Sequence, residues 1–301
     1  MLRSALKKWL LGGLLLAFGL AAGCTPSPAP AAARPSPAAA EPTPLRTPPA
    51  APTQPPSPTP TPACSLSAGG RLEQASLPSE RIGKPLEYWV YLPPCFTETP
   101  TQPYPWLMLL HGQSMDAQVW VRMGVQARAD ELIAQGKAPP FVIILPTEAY
   151  YLQDMAEARF GEAVRQELLP AVQARYTLCA QPECRAVGGL SRGALWALRL
   201  ALEGEPVFGA VGGHSLPNSP FSPSKLRALL AARSPQPPPR IWLDSGDLDR
   251  YLRGATQFHE LLTQQKVAHT WTVNQGAHEE AYWQAHLGEY LQWYAQDWPV
   301  P

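Results

Sequence analysis

Two uninterrupted apolar runs constrain the fold of this chain more than any other feature, "WLMLLHG" at 106–112 and "FVIILP" at 141–146. Continuous runs of this kind are typical of parallel strands that are buried on both faces, whereas a strand with one solvated face alternates. Between them, Asp116 to Gln135 has helical spacing and ends at Gly136, a suitable C-terminal cap. A strand, a helix and a second buried strand in succession predict a parallel sheet covered by helices.

The same alternation of short apolar runs and amphipathic stretches continues to the C-terminus. The further predicted strands are 86–92, 185–190, 207–215, 240–246 and 269–275. The further predicted helices are 155–176, 192–203, 225–233, 251–265 and 279–293, and Pro170 is expected to bend or divide the first of them. "LEYWVYL" (86–92) alternates, so it is expected to be an antiparallel edge strand. The pattern predicts an α/β fold with a mostly parallel central sheet, helices on both faces and an antiparallel N-terminal edge.

Residues 1–23 have the layout of a secretory signal: cationic residues, then an apolar run, then small residues. The run is too short and too soon interrupted for a membrane span. "LAAGC" resembles the bacterial lipobox, with Ala21 where a larger aliphatic residue is usual, and this resemblance implies lipidation of Cys24. We therefore expect an exported protein of the bacterial cell envelope, anchored by lipid at Cys24, with plain secretion as the alternative.

Residues 24–63 are expected to be a disordered linker. From Thr25 onward they contain no aromatic residue, almost no charge, and proline at every second or third position. Such a segment cannot bury enough apolar surface to fold, and its prolines favour extended polyproline II. The sequence therefore places a single globular domain at 64–301.

Charge and cysteine content narrow the class of protein further. The formal net charge is zero and no basic stripe occurs, so no nucleic-acid partner is expected. Besides Cys24 there are four cysteines, for which export permits disulfides; the preferred pairs are Cys179 with Cys184 and Cys64 with Cys95. Metal binding is the weaker interpretation, because no histidine lies at ligand spacing from either pair.

Ser191 is the candidate nucleophile, in "GGLSRGALW" at 188–196. It lies between a predicted strand and a predicted helix, and Gly189 and Gly193 flank it in a Gly-x-Ser-x-Gly pattern. That context is typical of a nucleophile elbow, in which a strained turn exposes the serine hydroxyl at the end of the sheet. The pattern also occurs by chance in glycine-containing loops, but the strand before and the helix after it favour the elbow.

A nucleophilic serine needs a base and an acid, which follow it in that fold in the order acid, then histidine. His278 follows a strand and precedes a helix, so it lies on a loop where a base is required. His259, His269 and His286 fall in or at the start of regular elements and are expected to be packing or surface residues. The acid is one of the three aspartates in "LDSGDLDRYL", Asp244, Asp247 or Asp249, and spacing alone does not choose among them.

The oxyanion of an acyl-transfer reaction needs two backbone N–H donors. The residue after the nucleophile, Arg192, supplies one, and the loop after an early strand supplies the other, most simply at Gln113 after Gly112. His111 is expected to be a structural residue beside this loop.

With these residues identified, the chain resembles the putative esterase family of α/β-hydrolases, which includes esterase D, feruloyl esterase domains, enterochelin esterases and the mycolyltransferase antigens. The similarity runs from about Gly70 to Trp293. Its motifs, in the family's order, are "YWVYLPPCF", "YPWLMLLHGQSMDAQVW", "APPFVIILP", "ELLPAVQARY", "RAVGGLSRGALWAL", "FGAVGGHS", "LDSGDLDRYL" and "GAHEEAYWQAHLGEYL".

This resemblance implies an α/β-hydrolase fold and a Ser191, Asp249 and His278 triad. The family's aspartate ends a Gly-x-x-Asp, here Gly246 to Asp249, with Asp247 as the fallback acid. Its histidine precedes a tryptophan by five residues, as His278 precedes Trp283, although Ala277 replaces the family's second glycine.

The expected activity is hydrolysis of small-molecule or polysaccharide-linked carboxylic esters, without a metal or cofactor. An acyltransferase acting on envelope sugar or lipid is the first alternative, and a non-catalytic binding lipoprotein is the second.

Overall fold

The computed structural model describes residues 68–301. The predicted signal, Cys24, the proline-rich segment and Cys64 lie outside the described residues.

One eight-stranded sheet forms the centre of the described domain. Its strands are β1 Arg71–Leu77, β2 Leu86–Leu92, β3 Trp106–Leu110, β4 Val142–Pro146, β5 Arg185–Leu190, β6 Ala210–His214, β7 Arg240–Gly246 and β8 Thr270–Asn274. Their order in the sheet is β1-β2-β4-β3-β5-β6-β7-β8. Strands β1 and β2 pair antiparallel, β2 pairs antiparallel with β4, and the remaining pairs are parallel. This confirms the predicted fold class, with its antiparallel N-terminal edge.

The prediction that 86–92 is an edge strand is wrong, because β1 (Arg71–Leu77) lies outside it and forms the edge. The sequence "RLEQASL" has few apolar residues, and its side chains alternate between exposed and half-buried positions. A strand with so little buried surface has no strong apolar signal, which is why periodicity alone missed it.

Helices cover both faces of the sheet. They are α1 Gln118–Arg122, α2 Val125–Ala134, α3 Phe160–Ala163, α4 Leu169–Arg175, α5 Arg192–Leu202, α6 Pro223–Arg233, α7 Leu252–Gln264 and α8 Glu280–Ala295. The helix predicted at 116–135 is divided into α1 and α2 by Gly124, which has φ 85°. The one predicted at 155–176 begins only at Phe160, and a π-helical segment, Val164–Leu168, precedes the turn that contains Pro170.

The buried core consists of one layer on each face of the sheet. In β3, Trp106, Met108 and Leu110 belong to one layer, while Leu107 and Leu109 belong to the other. This two-sided burial explains why β3 is continuously apolar. Within residues 68–301, no helix is both long and apolar enough to cross a lipid bilayer.

Candidate active site

Ser191 lies between the end of β5 and the first residue of α5, in the strained backbone conformation φ 53°, ψ −115°. Its N–H donates to the carbonyl of His214 on β6 at 2.9 Å. The flanking glycines are required by close packing. A Cβ on Gly189 would collide with the backbone of Gly193, and a Cβ on Gly193 with the carbonyl of Leu110. The serine hydroxyl makes no hydrogen bond within residues 68–301, so it is available for another partner.

His278 and Asp249 meet beyond the carboxyl ends of β8 and β7. The Nδ1 atom of His278 lies 2.9 Å and 3.1 Å from the two carboxylate oxygens of Asp249. Burial by itself would raise the pKa of Asp249, but hydrogen bonds from His278, the Tyr251 N–H and Ser215 outweigh it and hold this pKa below its usual value. The carboxylate is therefore charged at neutral pH and fixes the proton of His278 on Nδ1.

Asp247 has a different partner. Its carboxylate accepts the N–H of Gly276 at 2.9 Å, while its own N–H donates to the carbonyl of Asn274 at 2.8 Å. The N–H of Leu248 also donates to Gly276, at 2.9 Å. These bonds join the loop after β7 to the loop after β8 and so bring Asp249 and His278 together.

The imidazole of His278 is positioned by two aromatic side chains. The ring of Trp283 lies edge-on to it at 5.2 Å between centroids, and the ring of Tyr251 at 4.8 Å. The Nε1 of Trp283 donates to the hydroxyl of the buried Ser215 at 2.9 Å. The tryptophan that follows the histidine by five residues is thus in contact with it.

The loop after β3 lies against the nucleophile. A Cβ placed on Gly112 would be 3.6 Å from the Cβ of Ser191, so Gly112 packs against the serine, and Gln113 is the next residue of this loop. Arg192 is the first residue of α5, where backbone N–H groups have no acceptor within the helix. Neither N–H is taken up by an acceptor elsewhere in residues 68–301. Both can therefore donate to a developing negative charge at this edge.

A second aspartate–histidine pair lies in the neighbouring strands β6 and β7, and no pattern in the sequence predicted it. His214 Nδ1 is 2.5 Å from Asp244 Oδ1, and its Nε2 is 2.8 Å from the hydroxyl of Tyr294. Asp244 Oδ2 accepts from Tyr282 at 2.7 Å and from Tyr290 at 2.8 Å. Both members of the pair are fully buried, so they support the sheet edge and do not contact a substrate.

His259, His269 and His286 do not lie on the loops that follow the strands at the carboxyl edge. His259 on α7 contacts His269 at 2.8 Å, next to β8, and His286 on α8 pairs with Glu289. Among the cysteines, Cys179 and Cys184 form a disulfide with a Cα–Cα distance of 6.2 Å. Cys95 is disulfide-bonded, and its predicted partner Cys64 lies outside the described part of the chain.

One curated protein is similar to part of this chain. The chain is 29% identical over 159 residues to an "Endo-1,4-beta-xylanase/feruloyl esterase" of Xylanibacter ruminicola; the match covers 48% of this chain and 21% of the relative. The chain thus matches about a fifth of the length of that curated relative.

Solved structures share the fold at lower identity. A ferulic acid esterase superposes with a TM-score of 0.65 at 24% identity, covering 76% of this chain and 98% of that one. An S-formylglutathione hydrolase from Staphylococcus aureus superposes with a TM-score of 0.66 at 19% identity, covering 75% and 99%. A ferulic acid esterase from the anaerobic fungus Anaeromyces mucronatus superposes with a TM-score of 0.65 at 19% identity, covering 76% and 90%.

The model of one protein family, described as "Putative esterase", matches residues 79–294. This match includes every strand from β2 to β8 together with Ser191, Asp249 and His278. The chain therefore belongs to the putative esterase family and has the α/β-hydrolase type of fold.

Proposed function

We propose that this protein is a serine hydrolase that cleaves carboxylic esters through an acyl-enzyme at Ser191. The observation that carries the proposal is the contact of His278 Nδ1 with both carboxylate oxygens of Asp249, at the edge of the sheet where Ser191 occupies a strained turn. A charged acid, an oriented imidazole and an available hydroxyl are the groups that acyl transfer by a serine requires.

In this mechanism the Ser191 Oγ attacks the ester carbonyl while His278 Nε2 takes its proton. These two atoms are expected to come within hydrogen-bond distance when substrate binds. Asp249 keeps the other imidazole proton on Nδ1 and stabilises the imidazolium. The N–H groups of Gln113 and Arg192 donate to the oxyanion of the tetrahedral intermediate. The intermediate collapses, the alcohol leaves with the proton from His278, and a water molecule then releases the acid by the same steps.

Substitution of the nucleophile tests this assignment. Ser191→Ala is expected to lower kcat on 4-nitrophenyl acetate by at least about 10⁴-fold and to abolish labelling by a fluorophosphonate. Ser224→Ala, on the exposed first turn of α6, is the control and should keep both properties. Unchanged hydrolysis by the Ser191→Ala protein would rule out the acyl-enzyme.

For the substrate we propose esters of aromatic acids of the ferulate type. The support is that the similar Xylanibacter protein is an endo-xylanase/feruloyl esterase and that two of the similar solved structures are ferulic acid esterases. Two exposed apolar side chains also lie on loops at the carboxyl edge of the sheet, Leu152 after β4 at 79% and Leu248 after β7 at 76% exposure. Because β5 lies between β4 and β7, these loops flank Ser191 and can contact an apolar acyl group.

A panel of methyl ferulate, 4-nitrophenyl acetate, S-formylglutathione and acetylated xylan separates the candidate substrates. We expect kcat/KM for methyl ferulate to exceed that for each of the others by at least about 10-fold, which corresponds to an activation free energy lower by about 1.4 kcal/mol. A preference for S-formylglutathione would contradict this part of the proposal and leave the serine mechanism standing.

We also propose that the protein is exported and lipid-anchored at Cys24, as the pattern of residues 1–24 predicts. Cys24→Ser should move the protein from the membrane fraction to the soluble exported fraction of an expressing bacterium. Equal membrane association of both forms would indicate that Cys24 carries no anchor.

A further inference from the structure

A buried ion pair joins the first residue of α5 to the loop after β4. Arg192 donates from Nε to one carboxylate oxygen of Glu148 at 2.8 Å and from its terminal nitrogen to the other at 2.6 Å. The same terminal nitrogen donates to the carbonyl of Gln153 at 2.9 Å. The side chains are only 11% and 3% exposed. This two-pronged geometry fixes the direction of the guanidinium and, through it, the start of the helix.

The backbone of Glu148 contacts the other loop beside the nucleophile. Its N–H donates to His111 Nε2 at 2.8 Å, and His111 Nδ1 lies 2.8 Å from the carbonyl of Gly112. Because Nε2 accepts, the imidazole proton is on Nδ1 and is donated to Gly112. Burial lowers the pKa of His111, which keeps the ring neutral and this arrangement intact. Glu148 is therefore linked to both Arg192 and the loop that carries Gln113.

We propose that Glu148 is a positioning residue that sets the separation of the two oxyanion donors, the N–H groups of Arg192 and Gln113. This inference rests on the proposed function. Stability alone does not account well for the pair, because the cost of desolvating two buried charges offsets most of their attraction. A rigid link between the two donors does account for it, since oxyanion stabilisation requires both N–H groups to be held in place before the reaction.

Glu148→Gln tests the proposal with nearly the same side-chain volume. The amide has one oxygen in place of two, so its N–H₂ group faces an N–H donor of Arg192 and the two-pronged contact is lost. We expect kcat per fluorophosphonate-labelled site to fall about 10- to 100-fold, with KM changed by less than about 3-fold. The inhibition constant of a trifluoromethyl ketone, which forms the tetrahedral oxyanion, should rise in parallel with the loss in kcat/KM.

Glu203→Gln is the matched control. Glu203 also pairs with an arginine of α5, Arg199 at 3.3 Å, but that pair is 28% and 31% exposed and lies at the far end of the helix. We expect this protein to keep the wild-type kcat per labelled site and the wild-type inhibition constant.

Arg192→Lys provides an independent variant should Glu148→Gln fail to fold. Lysine keeps the positive charge but cannot make the two-pronged contact with the Glu148 carboxylate. We expect it to lower kcat in the same range. The kcat of the double variant should be no more than about 3-fold below that of the less active single variant, because both substitutions remove the same contact between Glu148 and Arg192.

The outcomes separate this inference from the proposed function. A folded Glu148→Gln or Arg192→Lys protein that keeps kcat per labelled site and the inhibition constant within about 3-fold of wild type overturns the positioning role alone. A wild-type protein that is not labelled at Ser191 overturns the proposed function, and this inference with it.

Discussion

Each of the three aspartates that follow one another in "LDSGDLD" binds a different partner. Asp244 contacts His214, Asp247 accepts the N–H of Gly276, and Asp249 contacts His278. Their chemistry is identical and their spacing is two or three residues, so the sequence without the resemblance could not distinguish them. The hydrogen bonds between the loops after β7 and β8 decide which carboxylate meets the imidazole.

The two loop aspartates can be compared directly by the same substitution. Asp249→Asn should lower kcat by about 10³- to 10⁴-fold with little change in KM, because the amide no longer stabilises the imidazolium. Asp247→Asn should cost less than about 10-fold, since it alters only a loop contact. Steady-state kinetics on 4-nitrophenyl acetate measures both. A greater loss of kcat in Asp247→Asn than in Asp249→Asn would indicate that Asp247 is the acid that orients His278.

The burial of His111 is expected to make the stability of the protein depend on pH. Its ordinary pKa is 6.5, and burial lowers this value in the folded protein. Below pH 6.5 the unfolded chain therefore binds a proton that the folded chain does not, so the free energy of unfolding falls as the pH falls, by at most about 1.4 kcal/mol per pH unit. Urea unfolding between pH 5 and 7.5 should show a shallower slope for His111→Gln. Identical slopes would indicate that His111 does not titrate in this range.

At the scale of elements, two adjacent strands each contain a glycine that is required because helix α8 approaches the sheet closely. Gly188 on β5 and Gly212 on β6 are directly opposite in the sheet, and a Cβ on either would collide with the hydroxyl of Tyr294 on α8. The sequence correctly placed both strands but offered no reason for these glycines. The reason depends on a side chain more than eighty residues away, which only the packing of α8 reveals.

Gly212→Ala is expected to reduce the free energy of unfolding by about 3 kcal/mol, since the fully buried Tyr294 has no space into which to move. Gly288→Ala is the control within α8, where the added Cβ would meet only the flexible side chain of Arg128 at 3.1 Å. Gly288→Ala should change the free energy of unfolding by no more than about 1 kcal/mol, because the higher helix propensity of alanine offsets the cost of moving the Arg128 side chain. Urea denaturation measures both. An equal loss of stability in the two variants would contradict the expected collision between the Cβ at position 212 and Tyr294.

At the scale of the whole molecule, the sequence predicts that residues 64–301 fold without the N-terminal segment. We expect a chain that begins at Cys64 to unfold with a free energy within about 0.5 kcal/mol of the full-length protein and to have the same kcat/KM. Chemical denaturation and ester hydrolysis of the two purified forms measure this. A loss of cooperative unfolding in the shorter form would show that the preceding residues are part of the folded unit.

Local patterns of apolar and turn residues were enough to predict the fold class, most of the strands and helices, and Ser191 and His278 as candidates. The resemblance to a known family added the choice of Asp249. Three features emerged only from the folded structure: β1 as the edge strand, the buried pair of His214 and Asp244, and the link from Glu148 to Arg192 and His111. Each of these depends on contacts between residues far apart in the chain, and a contact of that kind leaves no periodic signal in the sequence.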